Sequence, residues 1–270
     1  MSNNKYLVAL DMDGTLLNDK KEISFITKHY LRKISKQGHK VIIASGRPYR
    51  SIKKYYELLR LHTPVICYNG IYSFNPNDST YPVTKTLFSK KEVLTLYKRL
   101  FPKYVKNFFV ETKNDLYLFE NDDNLLRFFV RDGMNLHYGE LPDTIDEESY
   151  VLIFERKEEA SDKEIREQVK DMPNLSLRFW GHREYFEIFP TNESKGKMVL
   201  KIAKDLGVDK ERIIAIGDAE NDIEMISSVG YGVSMKNGYP PLKAIARHVT
   251  KKDNNHNGIV HCLKQILSKY

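Results

Sequence analysis

Two aspartates separated by a single residue, Asp11 and Asp13, end the apolar run Tyr6-Leu7-Val8-Ala9-Leu10. Carboxylates that close repel one another and resist leaving water, so an interior would not hold them uncompensated. Three other clusters offer compensation. Ser45-Gly46-Arg47-Pro48 carries a hydroxyl and a guanidinium, Ser194-Lys195-Gly196 an ammonium, and Gly217-Asp218-Ala219-Glu220-Asn221-Asp222 further carboxylates. If Asp11, Asp13 and Asp218 meet, an oxygen-only donor set calls for a cation. With no Cys or His pair nearby, Mg²⁺ suits that set better than Zn²⁺. Lys195 and the Ser45 hydroxyl would add a positive charge and a donor, so the site would also accept a phosphoryl group. Gly14 lets the backbone turn and approach a ligand closely.

Each cluster alone is weak. Asp-x-Asp-Gly can be a loop with an Asx turn, and a lone lysine is more often surface charge than catalyst. An EF-hand calcium loop is excluded, because it needs Gly at its sixth position and Gly14 stands fourth. The signal is the combination, in this order, beside expected strand ends and helix starts.

Those ends follow from the rhythm of the chain. Residues 6–10 read as a strand. Residues 24–37 read as a helix with Ile23, Ile26, Tyr30, Leu31 and Ile34 on one stripe and Gly38 as a stop. A strand at 40–44, a helix at Tyr49–Leu59 and a strand at 64–68 complete a βαβαβ run. The rhythm returns with helix 195–206, strand 212–216, helix 222–228, strand Tyr231–Ser234 and helix 259–267. This alternation predicts an α/β, doubly wound parallel sheet, whose ligands sit beyond the carboxyl ends of its strands. Between the two halves the character changes. Ser89 and Glu92 form a capping box before Val93, Leu94, Leu96, Tyr97 and Leu100. Strands are expected at 106–110, 116–120, 150–154, Leu175–Phe179 and 185–189, and helices near 123–131 and 162–169. The expected organisation is a discontinuous core, 1–82 and 188–270, carrying an inserted α+β domain at 83–187.

The 270 residues carry a net charge of +7, with 41% hydrophobic residues, as a soluble globular protein would. The lysines are scattered, and no helix-turn-helix, zinc or RNP-like signature accompanies them, so no nucleic-acid partner is expected. Cys67 and Cys262 lie far apart and read as reduced thiols. No apolar run approaches a membrane span. The expectation is a cytoplasmic monomer or homodimer acting on a small molecule.

Together, DMDGTL at 11–16, ASGRP at 44–48, ESKG at 193–196 and GDAEND at 217–222 resemble the haloacid dehalogenase superfamily. CYNG at 67–70 and the segment GYGVSMKNGYPPLKAIARHVT point to its Cof-type phosphatases, which carry a large cap between the second and third motifs. The resemblance spans the chain, strongly at both ends and by position and length in the cap. The chain departs from the family at Gly238, where Ala is common, and at Ile71, where a small residue is usual.

The resemblance implies a Mg²⁺-dependent phosphatase of small phosphorylated metabolites, such as sugar phosphates or phosphorylated cofactors. Asp11 would be the nucleophile that forms an aspartyl-phosphate. Asp13 would be general acid and then general base, with Lys195 and Ser45 stabilising charge. Asp218, Asp11 and the Asp13 carbonyl would hold Mg²⁺, with Asp222 and Asn221 touching it or standing one layer behind. Gly46, Arg47, Asn69, Gly70 and Asn221 would line the phosphoryl site. In the cap, Arg178, Trp180, His182 and Arg183 would meet the leaving group, or Phe179 and Trp180 would be core and the arginines solvated. Two rivals stand beside this reading: a phosphotransferase or phosphomutase on the same fold, and a non-catalytic phosphometabolite-binding regulator.

Overall fold

The computed structural model describes residues 5–129, 131, 133–142, 145, 148–180 and 184–268. The chain divides into two compact units, Met1–Thr84 with Ser194–Tyr270, and Lys85–Glu193. In chain order the first begins with β1 (Leu7–Leu10), α1 (Phe25–Lys36), β2 (Lys40–Ile43), α2 (Tyr49–Leu59), β3 (Val65–Cys67), β4 (Tyr72–Phe74) and β5 (Thr84–Lys85). The second holds α3 (Lys90–Leu100), β6 (Val105–Glu111), β7 (Asp115–Leu118), α4 (Asp123–Phe128), β8 (Asn135–Tyr138), β9 (Val151–Arg156), α5 (Asp162–Glu167), β10 (Leu175–Phe179) and β11 (Tyr185–Pro190). The chain returns with α6 (Lys195–Asp205), β12 (Ile213–Gly217), α7 (Ile223–Ser227), β13 (Tyr231–Ser234), α8 (Pro240–Ile245), β14 (His248–Val249) and α9 (Gly258–Leu267).

The main sheet of the first unit is parallel, in the order β14-β13-β12-β1-β2. Leu7, Val8, Ala9 and Leu10 are wholly buried, which is why β1 reads as a continuous apolar run. Leu10 registers with Ile43 on one side and Ile216 on the other, so the residues after β1, β2 and β12 emerge at one edge. The chain leaves β1 in one direction to β2 and lies in the other direction at β12. Such a reversal opens a crevice at the strand ends.

Several elements differ from expectation. β3 belongs to a separate sheet, β3-β4-β5, and meets the end of β2 through the parallel bridge Ala44–Ile66. The turn at Tyr68–Gly70 sends the chain back antiparallel as β4 before β3 can lengthen. On α1 the buried residues are Thr27, Leu31 and Ile34, while Ile26 is 54% exposed. Ile26 lies about 100° round the helix from Thr27, outside that stripe. β8 and β14 carry mostly exposed side chains and so show no apolar alternation. α8 starts on two prolines, a helix-opening signal not used above.

The second unit is one six-stranded sheet, β10-β11-β9-β6-β7-β8, antiparallel except for β7 with β8. One face packs Phe108, Val110, Phe154, Phe186 and Ile188 against Val93, Leu96 and Leu100 of α3 and Ile165 of α5. The other packs Phe109, Ile153 and Tyr185 against Leu125 of α4. Ser89 and Ser161 both close capping boxes, with Glu92 and Glu164. The boundary expected at 187–188 falls inside β11, which stays paired with β10 as far as Pro190. Among the described residues no helix is long and apolar enough to cross a membrane, and neither cysteine is in a disulfide, both being buried.

Candidate active site

Asp11 is placed by the sheet itself, its N–H donating to the Ile216 carbonyl at 2.9 Å as the ladder continues past β1. Its carboxylate is buried, and the Lys195 ammonium donates to Asp11 Oδ1 at 2.6 Å and to Asp222 Oδ1 at 2.8 Å. Lys195 itself is 1% exposed. It is the first residue of α6, whose N-terminus is set by the Ser194 hydroxyl accepting from the Lys197 N–H. The other Asp222 oxygen accepts the N–H groups of Asp218 and Ala219, at 2.9 and 3.0 Å, and so closes the loop after β12. The Thr15 hydroxyl donates to Asp218 Oδ1 at 2.8 Å. Oxygens of Asp11, Asp218 and Asp222 lie within 4.8 Å of one another.

The electrostatics follow from three buried carboxylates around one ammonium. Burial raises the Asp11 carboxyl well above its ordinary range; Lys195 opposes this and the Asp222 and Asp218 charges add to it. Asp218 is pushed up to about 6, chiefly by burial, against the Thr15 hydrogen bond and with the Asp222 charge. Burial alone would strip the Lys195 proton, but Asp11 and Asp222 outweigh it and raise the group above the usual lysine range.

Asp13 stands apart from this cluster. Arg47 grips it with both prongs, Nε to Oδ2 at 2.6 Å and Nη2 to Oδ1 at 2.7 Å. Lys21 Nζ adds a third contact, 2.7 Å from Oδ1. Burial would raise this carboxyl, yet Arg47 and then Lys21 hold it below its ordinary value. Arg47 is tied down in turn, its N–H donating to Ser45 Oγ at 3.2 Å. Asn69, in the left-handed region at φ 58°, donates its N–H to the Ser45 carbonyl and accepts from Asn221 Nδ2 at 2.9 Å.

Two glycines are steric requirements. Gly14 has φ +75°, and a Cβ there would lie 2.3 Å from Asp218 Oδ2. Gly14→Ala therefore combines backbone strain with a clash that displaces Asp218, and we expect it to lower thermal stability and weaken divalent-cation binding together. Unchanged melting temperature and cation affinity would contradict this geometry. Gly238 leaves no room for the alanine usual in the family, since a Cβ would lie 2.6 Å from Ser234 Oγ.

The fold thus gathers Asp11, Lys195, Asp218 and Asp222, and beside them Asp13, Arg47 and Ser45. Arg47, Asn69 and Asn221, expected on the substrate, are hydrogen-bonded to protein groups. In the second unit Arg178 is paired with Glu187, its guanidinium 5.2 Å from the centre of the Phe189 ring. Its charge is therefore balanced within the protein, where contact with the leaving group, or else solvation, was expected. The physical reason is register, which sets Arg178 directly opposite Glu187. Trp180 lies 5.9 Å from the Tyr185 ring, against the Phe109–Ile153 cluster, and Phe179 packs on the opposite cluster. His182 and Arg183 lie outside the described residues. Sequence reasoning missed Thr15 and Lys21. Thr15 follows Gly14 and could have been found as a hydroxyl in the first motif; Lys21 has no local signal.

A parallel α/β sheet whose reversal point carries buried carboxylates around a buried lysine is the framework of a phosphoryl-transfer enzyme. The chain belongs to the haloacid dehalogenase-like hydrolases, a family it matches over residues 8–263, and it is an enzyme of their phosphatase kind. It is 34% identical to the 5-amino-6-(5-phospho-D-ribitylamino)uracil phosphatase YitU of Bacillus subtilis, over 99% of this chain and 100% of that one. It is 28% identical to the phosphatase YwpJ of the same organism, over 97% of this chain and 99% of that one. A haloacid dehalogenase-like hydrolase from Bacteroides thetaiotaomicron shares the fold, with a TM-score of 0.81 at 23% identity, covering 97% and 99% of the two chains.

Proposed function

We propose that this enzyme is a Mg²⁺-dependent phosphatase acting through an aspartyl-phosphate on Asp11. Its proposed substrate is a phosphorylated metabolite with a neutral polar leaving group, of which a phosphorylated ribitylaminouracil is the first candidate. The observation that carries the reading is the buried Lys195 shared between Asp11 and Asp222 beside Asp218. One ammonium among three carboxylates leaves the cluster short of positive charge. An oxygen-only donor set of this spacing fits a hard divalent cation.

Asp11 and Asp218 would hold the cation, with the Asp13 carbonyl. Asp222 already spends one oxygen on Lys195 and the other on backbone N–H groups, so its proposed role is to stand behind the ion and position both. When bound, the cation would neutralise charge on the transferring phosphoryl group. An Asp11 oxygen attacks phosphorus, the ester P–O bond breaks, and Asp13 gives its proton to the departing oxygen. Asp13 then takes a proton from water, whose oxygen attacks the acyl phosphate; inorganic phosphate leaves and Asp11 is restored. Arg47 and Lys21 keep Asp13 ionised in the free protein, the form the second step needs. A phosphoryl dianion competing for Arg47 would move Asp13 back toward the protonated form required by the first step, with Lys21 remaining on Oδ1.

Within the inserted unit Arg178, Trp180 and Arg183 are the proposed substrate-binding residues, and because Glu187 neutralises Arg178, a polyol or ring suits that unit better than a second phosphate. The test is phosphate release from 5-amino-6-(5-phospho-D-ribitylamino)uracil and a panel of sugar phosphates and bisphosphates, ranked by kcat/KM. EDTA should abolish release, and Mg²⁺ should restore it far better than Ca²⁺. Mg²⁺ affinity should fall as pH drops through about 6, because protonated Asp218 cannot serve as a ligand. Full activity in verified metal-free protein sinks the metal assignment. A preference for bisphosphates sinks the leaving-group assignment, and transfer to a second sugar without free phosphate identifies a mutase.

A further inference from the structure

We infer that Lys21 is a further positioning residue, one that makes the two oxygens of Asp13 inequivalent and leaves Oδ2 as the one that exchanges the proton. This rests on the reading of Asp13 as general acid and base. Arg47 alone would grip the carboxylate symmetrically, one nitrogen to each oxygen. Lys21 breaks that symmetry by donating to Oδ1 only. Oδ1 then carries two charge-assisted hydrogen bonds and Oδ2 one, so Oδ2 keeps the greater capacity to meet a proton.

Lys21 is 55% exposed, and surface ion pairs of this kind are worth little to stability. Its backbone is nevertheless pinned. Lys21 stands at φ 60°, and its N–H donates to the Asn18 carbonyl at 2.9 Å. Its own carbonyl accepts from the Tyr55 hydroxyl of α2 at 2.7 Å. Two asparagines from far along the chain hold the outside of the same turn. Asn254 Nδ2 donates to the Leu17 carbonyl at 3.0 Å and to Asp19 Oδ1 at 3.1 Å. Asn255 accepts the Asp19 N–H at 3.0 Å and donates to Asp19 Oδ2 at 2.9 Å. A turn held this firmly fixes the base of the lysine, so its ammonium returns to one oxygen of one carboxylate.

The expected consequence is selective for leaving groups that need a proton. In Lys21→Met, single-turnover cleavage of a sugar phosphate should slow by about tenfold, part of the ~10²–10⁴ that a positioned acid–base group supplies. KM should stay within about twofold, and single-turnover nitrophenol release from nitrophenyl phosphate should be little changed, because nitrophenolate leaves unassisted. Lys21→Arg should restore most of the loss. In an Asp13→Asn background, Lys21→Met should have no further effect. Equal slowing of both substrates, a rise in KM alone, or an additive loss in the Asp13→Asn background each overturns the inference. If Asp13→Asn by itself fails to separate the two leaving groups, the acid–base reading falls, and the role of Lys21 falls with it.

Discussion

Asp11→Asn should abolish turnover of every substrate, while Asp13→Asn should leave one half-reaction visible. Phosphate monoester hydrolysis is accelerated by up to ~10²¹-fold, at ~1.4 kcal/mol per tenfold, so no single group can supply the whole effect. Dividing the displacement in two lets each step draw on different groups. With Asp11 as the proposed nucleophile, its loss leaves no covalent intermediate to form. Without Asp13 the nucleophile remains, still hydrogen-bonded to Lys195. A sugar alkoxide then cannot depart without its proton and the first step nearly stops. Nitrophenolate is a far weaker base, so its first step partly survives and the second becomes limiting. The Asp13→Asn protein should give a nitrophenol burst followed by slow turnover. Intact mass in the slow phase should show one added phosphoryl group, mapped to Asp11. Equal loss for both leaving groups, without burst or adduct, would falsify this division of labour.

Lys195→Met should be the most damaging change to stability. Removing one partner of a buried ion pair costs about 3–5 kcal/mol, because the charge left behind has neither water nor partner. Here two carboxylates, Asp11 and Asp222, lose the same ammonium. The melting temperature of the metal-free protein should fall by roughly 10 °C. The sign with pH is set by the carboxylates. Asp11 already binds its proton more tightly folded than unfolded, and without Lys195 it would do so more strongly. The folded variant then holds more protons than the unfolded chain, so its stability should rise on acidification from pH 8 toward 5. The wild-type lysine contributes with the same sign but at higher pH, its stabilisation being complete below the ordinary lysine range and lost as pH rises through its raised folded value. Adding Asp11→Asn to Lys195→Met should recover part of the loss by removing one orphaned charge. A single variant as stable as wild type, or a double variant no better than the single, would show that the ion pair contributes nothing to the fold.

What could be read in advance was what burial writes locally. β1 and β12 are buried throughout and stand out as apolar runs, and the helix expected at Tyr49–Leu59 is α2. Four clusters could be expected to meet because three follow parallel strands and one opens a helix. The remainder depends on pairing between distant segments. The expectation for Arg178, a leaving-group contact or a solvated side chain, lacks Glu187 because nothing in its own neighbourhood announces it; only the β10–β11 register sets them opposite. Lys21 is indistinguishable from Lys20 until a turn braced by residues 236 positions away aims it at Asp13. β3 was assigned to the main sheet because short apolar runs carry no information about which edge they join.

The position of β1 between β2 and β12 also has a consequence for how the chain is made. One edge of β1 finds its partner early, in β2; the other waits for Ile213–Gly217. At ribosomal rates of ~5–20 residues per second that wait lasts roughly 10–40 s, during which a bare apolar strand edge is open to other chains. The whole of Lys85–Glu193 is synthesised within the interval. Asp11 is therefore translated before the inserted segment and acquires its lysine and its fellow carboxylates only after it. A chain that stops short of α6 and β12 carries the proposed nucleophile without the groups that would arm it, and is an aggregation hazard before it is a catalyst.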